Sequence, residues 1–318
     1  LELMGHAALP GYNRYCYETT SPVANLFLNL KYMLERSAEV EENPYFNNVH
    51  HYGDVYLLEN KAYLPLGFLA NDEIADAQLI FTSSYGLYNQ NQLFSAATGL
   101  ASSVWTTTPA SWLTIEGEGV EFATAMDTGY CAYQVVESSG TVIYRYNIEK
   151  EGFFCFEADL YSDNYISVYR NDQFLYGDSE QLPQTFAVSQ VRPGDVVELR
   201  MYCPAGENSS MNIQASLLND QVFWDGYEIL NQSTLELSEF TTTRIVGDIE
   251  CNRDGILYTS IPNDGNWKVT VDGKEAEVVT IAEAMVGVRL SKGEHEIVFT
   301  YENQAYTIGA WVTTLCIL

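Results

Sequence analysis

Residues 256–301 consist of short runs of β-branched and aromatic residues: Ile256–Ile261, Trp267–Val271, Met285–Leu290 and His295–Tyr301, each bounded by Gly, Asn, Asp or Lys. Runs this short, cut by turn formers, pair as antiparallel strands. Asp272-Gly273 follows Lys268-Val-Thr-Val271 directly and has the composition of a two-residue hairpin turn, whose central residues both take positive φ. Lys292-Gly293 marks a further reversal.

The middle of the chain follows the same rule. Val120–Ala125, Thr141–Ile148, Gly152–Leu160, Tyr165–Arg170, Gln184–Val188, Val196–Tyr202 and Met211–Leu217 recur at a spacing of about 8–12 residues. Turns fall at Ser138-Ser-Gly140, Ser162-Asp-Asn164, Arg192-Pro-Gly-Asp195 and Pro204–Ser210, which predicts a β-sandwich. Ser167-Val-Tyr-Arg-Asn-Asp172 parallels Lys268-Val-Thr-Val-Asp-Gly273, and Val191–Leu199 parallels Leu290–Ile297. The reading is therefore mainly β: tandem antiparallel β-sandwiches, jelly-roll-like, over 111–220 and 221–305. A smaller α+β segment, 1–110, precedes them and packs on them.

Within that first segment, residues 1–20 read as an irregular lead-in. Ser21-Pro22 has the composition of a helix start, with Ser as the cap and Pro in the first turn. Val23–Leu34 begins with helical spacing and ends like a strand, and Asn29–Tyr32 reads as a core strand. Val55–Asn60 is strand-like. Pro65 lacks a ladder donor and places Ala62–Phe68 at an edge or strand start. Asn89–Thr98 before Gly99 predicts a short helix with Leu93, Phe94 and Ala97 on one face; its amides fit either sugar contact or a solvated face. Asp220–Leu230 predicts another helix, with Phe223, Trp224 and Leu230 against a core.

Tyr306–Leu318 carries no charge. By itself it reads either as a buried C-terminal element or as the start of a spanning helix, which needs about 20 apolar residues. Leu257-Tyr-Thr-Ser-Ile-Pro262, Trp267–Gly273, Val288–Tyr301 and the apolar segment around Gly309 together resemble the YfhO family of large bacterial polytopic membrane proteins. Asn29–Tyr32, Tyr56–Asn60 with Leu64–Phe68, and the Asn/Gln-rich helix resemble the same family, in the same order. The resemblance implies an extracytoplasmic, β-rich region in the bacterial cell membrane, with 306–318 opening a transmembrane helix. It further implies a part in glycosylating cell-envelope polymers such as teichoic acid with a lipid-linked sugar. The implied partners are that glycopolymer or lipid-linked sugar and the protein's own transmembrane region. The family resembles C-type glycosyltransferases, whose catalytic acids lie in loops near the N-terminus; no such loop matches here. No catalytic residue is carried over, and acceptor binding or positioning is the implied role.

Composition narrows the alternatives. Apolar residues make up 47% and charged ones 18%, which is an ordered globular chain. With 23 Tyr against 15 Lys plus Arg, half-buried strand positions are favoured. A net charge of −28 excludes nucleic acid as a partner and opposes anionic headgroups, and the scarcity of Lys and Arg fits the outer side of a membrane. The six cysteines have no C-x-x-C spacing and read as small buried hydrophobes, with one or two disulfides compatible with the spacing.

No motif singles out a carboxylate pair for glycoside hydrolysis, and there is no G-x-S-x-G. No metal or cofactor is implied. His50-His51 reads as a surface loop pair, and Asp159, Asp163 and Asp172 as a solvated turn rather than a calcium loop. Trp105 and Trp112, flanked by Ser and Thr, are the candidates for an aromatic platform under a sugar ring, core packing being the other reading. A stand-alone carbohydrate-binding module and a structural, adhesin-like array are the alternative functions.

Overall fold

The computed structural model describes Met4 and residues 21–36, 43–80, 85–123, 129–160, 165–178 and 185–317. The expected lead-in, the Ser162-Asp-Asn164 turn and Cys16 lie outside these residues. All strand pairing among the described residues is antiparallel and falls into five sheets, as the punctuated β runs require. The chain divides into two units. The first comprises residues up to Ala24, Leu79–Gln92 and Ser102–Phe223; the second comprises Asn25–Gln78, Leu93–Ala101 and Trp224–Leu318. The α+β segment expected over 1–110 is thus shared between the units.

Helix α1 (Pro22–Phe27) starts as its sequence dictates: Ser21 Oγ accepts the Ala24 N–H at 3.0 Å, and Pro22 occupies the first turn. Asn29 then adopts φ 58°, a region Asn tolerates, and breaks the run. Asn29–Tyr32 is therefore a turn into an edge strand rather than the expected core strand. Strands β1 (Tyr32–Arg36), β2 (Phe46–Tyr52) and β3 (Val55–Asn60) form a sheet in the order β1-β3-β2. His50 and His51 sit exposed on β2, not in a loop, because a bulge between Asn48 and His50 carries the pairing with β3 through to Tyr52. Strand β4 (Gly67–Ala70), opening two residues after Pro65, is an edge strand.

Helix α2 (Gly86–Thr98) leads into the first unit's strands: β5 (Trp105–Thr107), β6 (Leu113–Glu118), β7 (Val120–Phe122), β8 (Tyr130–Val135), β9 (Ser139–Asn147), β10 (Gly152–Leu160), β11 (Ile166–Arg170), β12 (Gln173–Asp178), β13 (Thr185–Val191), β14 (Val196–Pro204) and β15 (Asn208–Leu218). One sheet runs β13-β10-β15-β8-β7, with β5 also on β15; the other runs β12-β11-β14-β9-β6. Strands β8 to β15 thus interleave early and late strands in both sheets, which is jelly-roll connectivity. Between the sheets lie Phe154, Phe156, Tyr144, Tyr146, Val168, Leu199 and Ile213. The Phe154 and Phe156 rings meet edge-on at 5.1 Å, and Tyr146 packs on both. The buried Tyr144 hydroxyl donates to Gly129 O at 2.9 Å, so its polar atom is satisfied within the core.

Helix α3 (Asp220–Leu230), of which Trp224–Leu230 belong to the second unit, is followed there by β16 (Glu236–Phe240), β17 (Arg244–Cys251), β18 (Gly255–Pro262), β19 (Trp267–Val271), β20 (Lys274–Ala276), β21 (Val278–Ile281), β22 (Met285–Leu290), β23 (Gly293–Tyr301) and helix α4 (Gln304–Ile317). Its sheets run β16-β17-β23-β19-β20 and β21-β22-β18-β4, the last strand coming from far upstream. Leu257, Val288, Ile297, Phe299 and Ile245 fill the space between. Asp272 and Gly273 take φ 52° and 73°, and Asn171 and Asp172 take 52° and 63°. The sequence echo between the two halves is therefore a shared left-handed hairpin turn. Cys131, Cys155, Cys203 and Cys251 are free, buried thiols. No helix among the described residues is long and apolar enough to cross a membrane.

Gly226, inside α3, shows how tightly the second unit packs. A Cβ there would lie 2.2 Å from Phe94 Cζ and 2.6 Å from Cε1, and the Phe94 ring is itself buried. Gly→Ala in a helix ordinarily gains about 1 kcal/mol. Displacing a packed ring costs about 1–3 kcal/mol. Gly226→Ala is therefore expected to destabilise by about 1 kcal/mol in urea denaturation, and a gain in stability would show that the ring moves freely.

Candidate functional site

The two tryptophans expected as a platform are core residues. Trp105 is 3% and Trp112 4% exposed, so neither offers a ring face to solvent. Along β5 Trp105 is buried while Thr106 and Thr107 are exposed, so the Ser/Thr flanks did not mark an exposed ring. The amides of α2 hold Trp105: Asn91 Oδ1 accepts its backbone N–H at 2.7 Å, and Gln90 Oε1 accepts its indole N–H at 2.9 Å. Gln90 also accepts from Ser21 Oγ at 2.7 Å and donates to Met4 O at 2.8 Å. These amides are neither sugar-facing nor solvated; they satisfy buried polar groups.

The aromatic surface lies instead on the outer face of the sheet β12-β11-β14-β9-β6. Along β14 the inward set is Val197, Leu199, Met201 and Cys203, so Glu198, Arg200 and Tyr202 point outward. Register sets three cross-strand rows on this face: Phe174–Tyr169–Glu198–Arg145–Thr114, then Ser167–Arg200–Ile143–Glu116, then Tyr202–Thr141–Glu118. Tyr202 donates its backbone N–H to Tyr165 O at 2.9 Å, which places the two tyrosines side by side. Phe174 is 51%, Tyr202 48% and Tyr165 40% exposed.

Glu198 is the centre of this face, a carboxylate buried on a sheet surface. Its Oε1 accepts Arg145 Nε at 2.6 Å and its Oε2 accepts Arg200 Nε at 2.7 Å, with Arg200 Nη2 on the same oxygen. Arg145 Nη1 also reaches Glu116 Oε2 at 2.6 Å. Arg200 lies 4.1 Å from the Tyr169 ring centroid, and Tyr169 meets Phe174 edge-on at 5.6 Å. Burial alone would raise the Glu198 pKa. The hydrogen bonds from Arg145 and Arg200 outweigh it and hold the carboxyl below its ordinary range, while the bond to Glu198 pushes the Arg145 guanidinium up. The result is a rigid, flat polar ladder beside exposed rings.

A depression of about 540 Å³ lies in the second unit and is lined by Glu236, Asp248, Glu250, Glu294, His295 and Glu296 among others. Glu236 pairs with Asp248, Asp248 with Glu296, and Glu250 with Glu294, so like charges stand opposite one another. His295 Nδ1 lies 2.9 Å from Asp272 Oδ2, and Nε2 lies 2.9 Å from Ser291 O. Two acceptors around the His295 ring favour its protonated form. The Asp272 hydrogen bond raises its pKa. Among the described residues no group of three or more His, Cys, Asp or Glu is disposed to hold a metal ion.

A family model described as "Bacterial membrane protein YfhO" matches residues 1–313. No curated protein matches. Among solved structures, a cycloisomaltooligosaccharide glucanotransferase of Paenibacillus sp., complexed with cycloisomaltoheptaose, is 8% identical, with a TM-score of 0.24, over 72% of this chain and 50% of its own. A β-glucuronidase from Ruminococcus gnavus, in complex with D-glucuronic acid, is 10% identical, with a TM-score of 0.20, over 85% and 46%. A cupin 2 conserved barrel domain protein from Leptotrichia buccalis is 11% identical, with a TM-score of 0.13, over 57% and 92%. The chain spans about half the length of the first two. Scores this low carry no argument about ligand or activity.

Proposed function

The chain belongs to the YfhO family of bacterial membrane proteins, and from that premise we propose that it forms a folded extracytoplasmic region that binds or positions a saccharide acceptor during glycosylation of a cell-envelope polymer. The observation that carries the saccharide part is the outer face around Glu198. Flat exposed rings beside fixed polar groups match a sugar, which presents an apolar C–H face and a rim of hydroxyls. Tyr202 supplies the stacking surface, and the carboxylates of Glu116 and Glu118 accept from hydroxyls. Helix α4, which carries no charged residue, supports attachment at a membrane, and the scarcity of Lys and Arg supports the outer side. Catalysis is assigned elsewhere in the parent protein.

The test is an array of cell-envelope glycans probed with the 318-residue chain and with Tyr202→Ala. Retention of at least one glycan, weakened about tenfold by the substitution, is the expected outcome, since losing an aromatic anchor removes about 1–2 kcal/mol. Retention that Tyr202→Ala leaves unchanged would remove this face from the account. No retention at all would reduce the region to a scaffold.

A further inference from the structure

Resting on that saccharide reading, we infer that the face around Glu198 selects an uncharged saccharide and rejects anionic ones, although two arginines sit at its centre. Recognition of a phosphate or carboxylate by Arg uses two adjacent N–H groups of one guanidinium edge. On Arg200 the side edge is closed, because Nε and Nη2 both lie on Glu198 Oε2 and Nη2 is also 3.6 Å from Asp172 Oδ1, which leaves the Nη1–Nη2 end. On Arg145, Nε is held by Glu198 and Nη1 by Glu116, both at 2.6 Å. Each guanidinium thus already has its charge paired with carboxylates of the same face.

The charge count of the face points the same way. Arg145 and Arg200 face Glu116, Glu118, Glu198 and Asp172, which leaves an excess of two negative charges on the surface of a chain whose net charge is −28. An anionic polymer approaching within a Debye length of about 8–10 Å meets repulsion, not capture. The most exposed ligand-facing groups are the rings of Tyr202, Tyr165 and Phe174 and the carboxylates of Glu116 and Glu118, while both arginines are already charge-paired. Carboxylates accept hydrogen bonds from sugar hydroxyls and repel uronates and phosphodiesters. If the polymer is a polyanion, this face holds its uncharged sugar substituents and not its backbone.

Equilibrium binding to the 318-residue chain distinguishes the cases, using neutral gluco-oligosaccharides, oligogalacturonates of equal length and poly(glycerol phosphate), each in 20 and 200 mM NaCl. The neutral ligands are expected to bind at least about tenfold more tightly than the anionic ones, with affinity changing less than about twofold between the two salts. Glu118→Gln, an exposed position, is expected to narrow the gap by weakening repulsion. Tighter binding of either anionic ligand, weakening as salt rises, would overturn the selectivity and leave the saccharide reading standing. Binding of none of the three at any salt, with the glycan array also blank, would remove that reading and this inference together.

Discussion

Glu198→Ala is expected to lower the stability of the chain by about 3 kcal/mol, the low end of what removing one partner of a buried ion pair costs. The Glu198 side chain is 6% exposed, whereas the Arg145 and Arg200 side chains are each 32% exposed. The arginines therefore recover some hydration, and they keep secondary partners: Glu116 for Arg145, and Asp172 and the Tyr169 ring for Arg200. The expected loss is for that reason not the full penalty of two stranded charges. Glu198→Gln keeps the shape but leaves one neutral oxygen between two guanidiniums, and is expected to recover less than half of the loss. Urea denaturation of the three proteins checks this; a Glu198→Ala midpoint within about 0.5 kcal/mol of the parent would mean the ladder behaves as an ordinary surface pair. Acid supplies an independent readout. Because the folded-state pKa is depressed, this stabilisation is present above the ordinary carboxylate value of 4.5 and is lost as pH falls through the depressed one. The Gln variant is expected to lose less stability than the parent below pH 4.5.

The ladder also shows where sequence reading stopped. Gly152–Leu160, Trp267–Val271, Met285–Leu290 and Asp220–Leu230 were legible to the residue because alternation or helical spacing ran unbroken between turn formers. Leu113–Glu118, Tyr130–Val135 and Arg244–Cys251 were not read as strands; in the last, glycine and charges interrupt an inward set of Ile245, Gly247, Ile249 and Cys251. The site was hidden for a different reason. Glu198, Arg200 and Tyr202 stand at period two in Val196–Cys203, which puts all three on one face, and that signal was available. Their partners Arg145, Glu116 and Tyr169 lie on other strands, brought alongside only by jelly-roll register that no single strand specifies. Tryptophan, the usual marker of a sugar platform, pointed to the core instead, because burial follows side-chain direction and not the polarity of neighbours in sequence.

Glu157→Gln is expected to do the reverse of Glu198→Ala and to stabilise the chain at alkaline pH. Glu157 lies on β10, with its carboxylate Oε1 accepting the Leu87 N–H at 2.8 Å in the first turn of α2. Burial pushes its carboxyl up to about 7, even though the Leu87 N–H pulls the other way. A folded-state pKa above the unfolded value of 4.5 means that the group's full contribution is present below pH 4.5 and is lost as pH rises through about 7. One pKa unit corresponds to about 1.4 kcal/mol, so ionising this buried carboxyl removes about 3 kcal/mol by pH 8. Glutamine stays neutral and keeps an oxygen for the Leu87 N–H. The variant and the parent are expected to unfold alike near pH 4 and to diverge by about 3 kcal/mol at pH 8, read from urea midpoints across that range. Parallel profiles would show that the site is hydrated when ionised and that α2 is held by its other contacts. The two carboxylates act on opposite limbs of the profile: the arginine-clamped one supports the fold against acid, while the one beneath α2 supports it only while protonated. A double variant, Glu157→Gln with Glu198→Gln, should therefore lose less stability than the parent on both the acid and the alkaline limb.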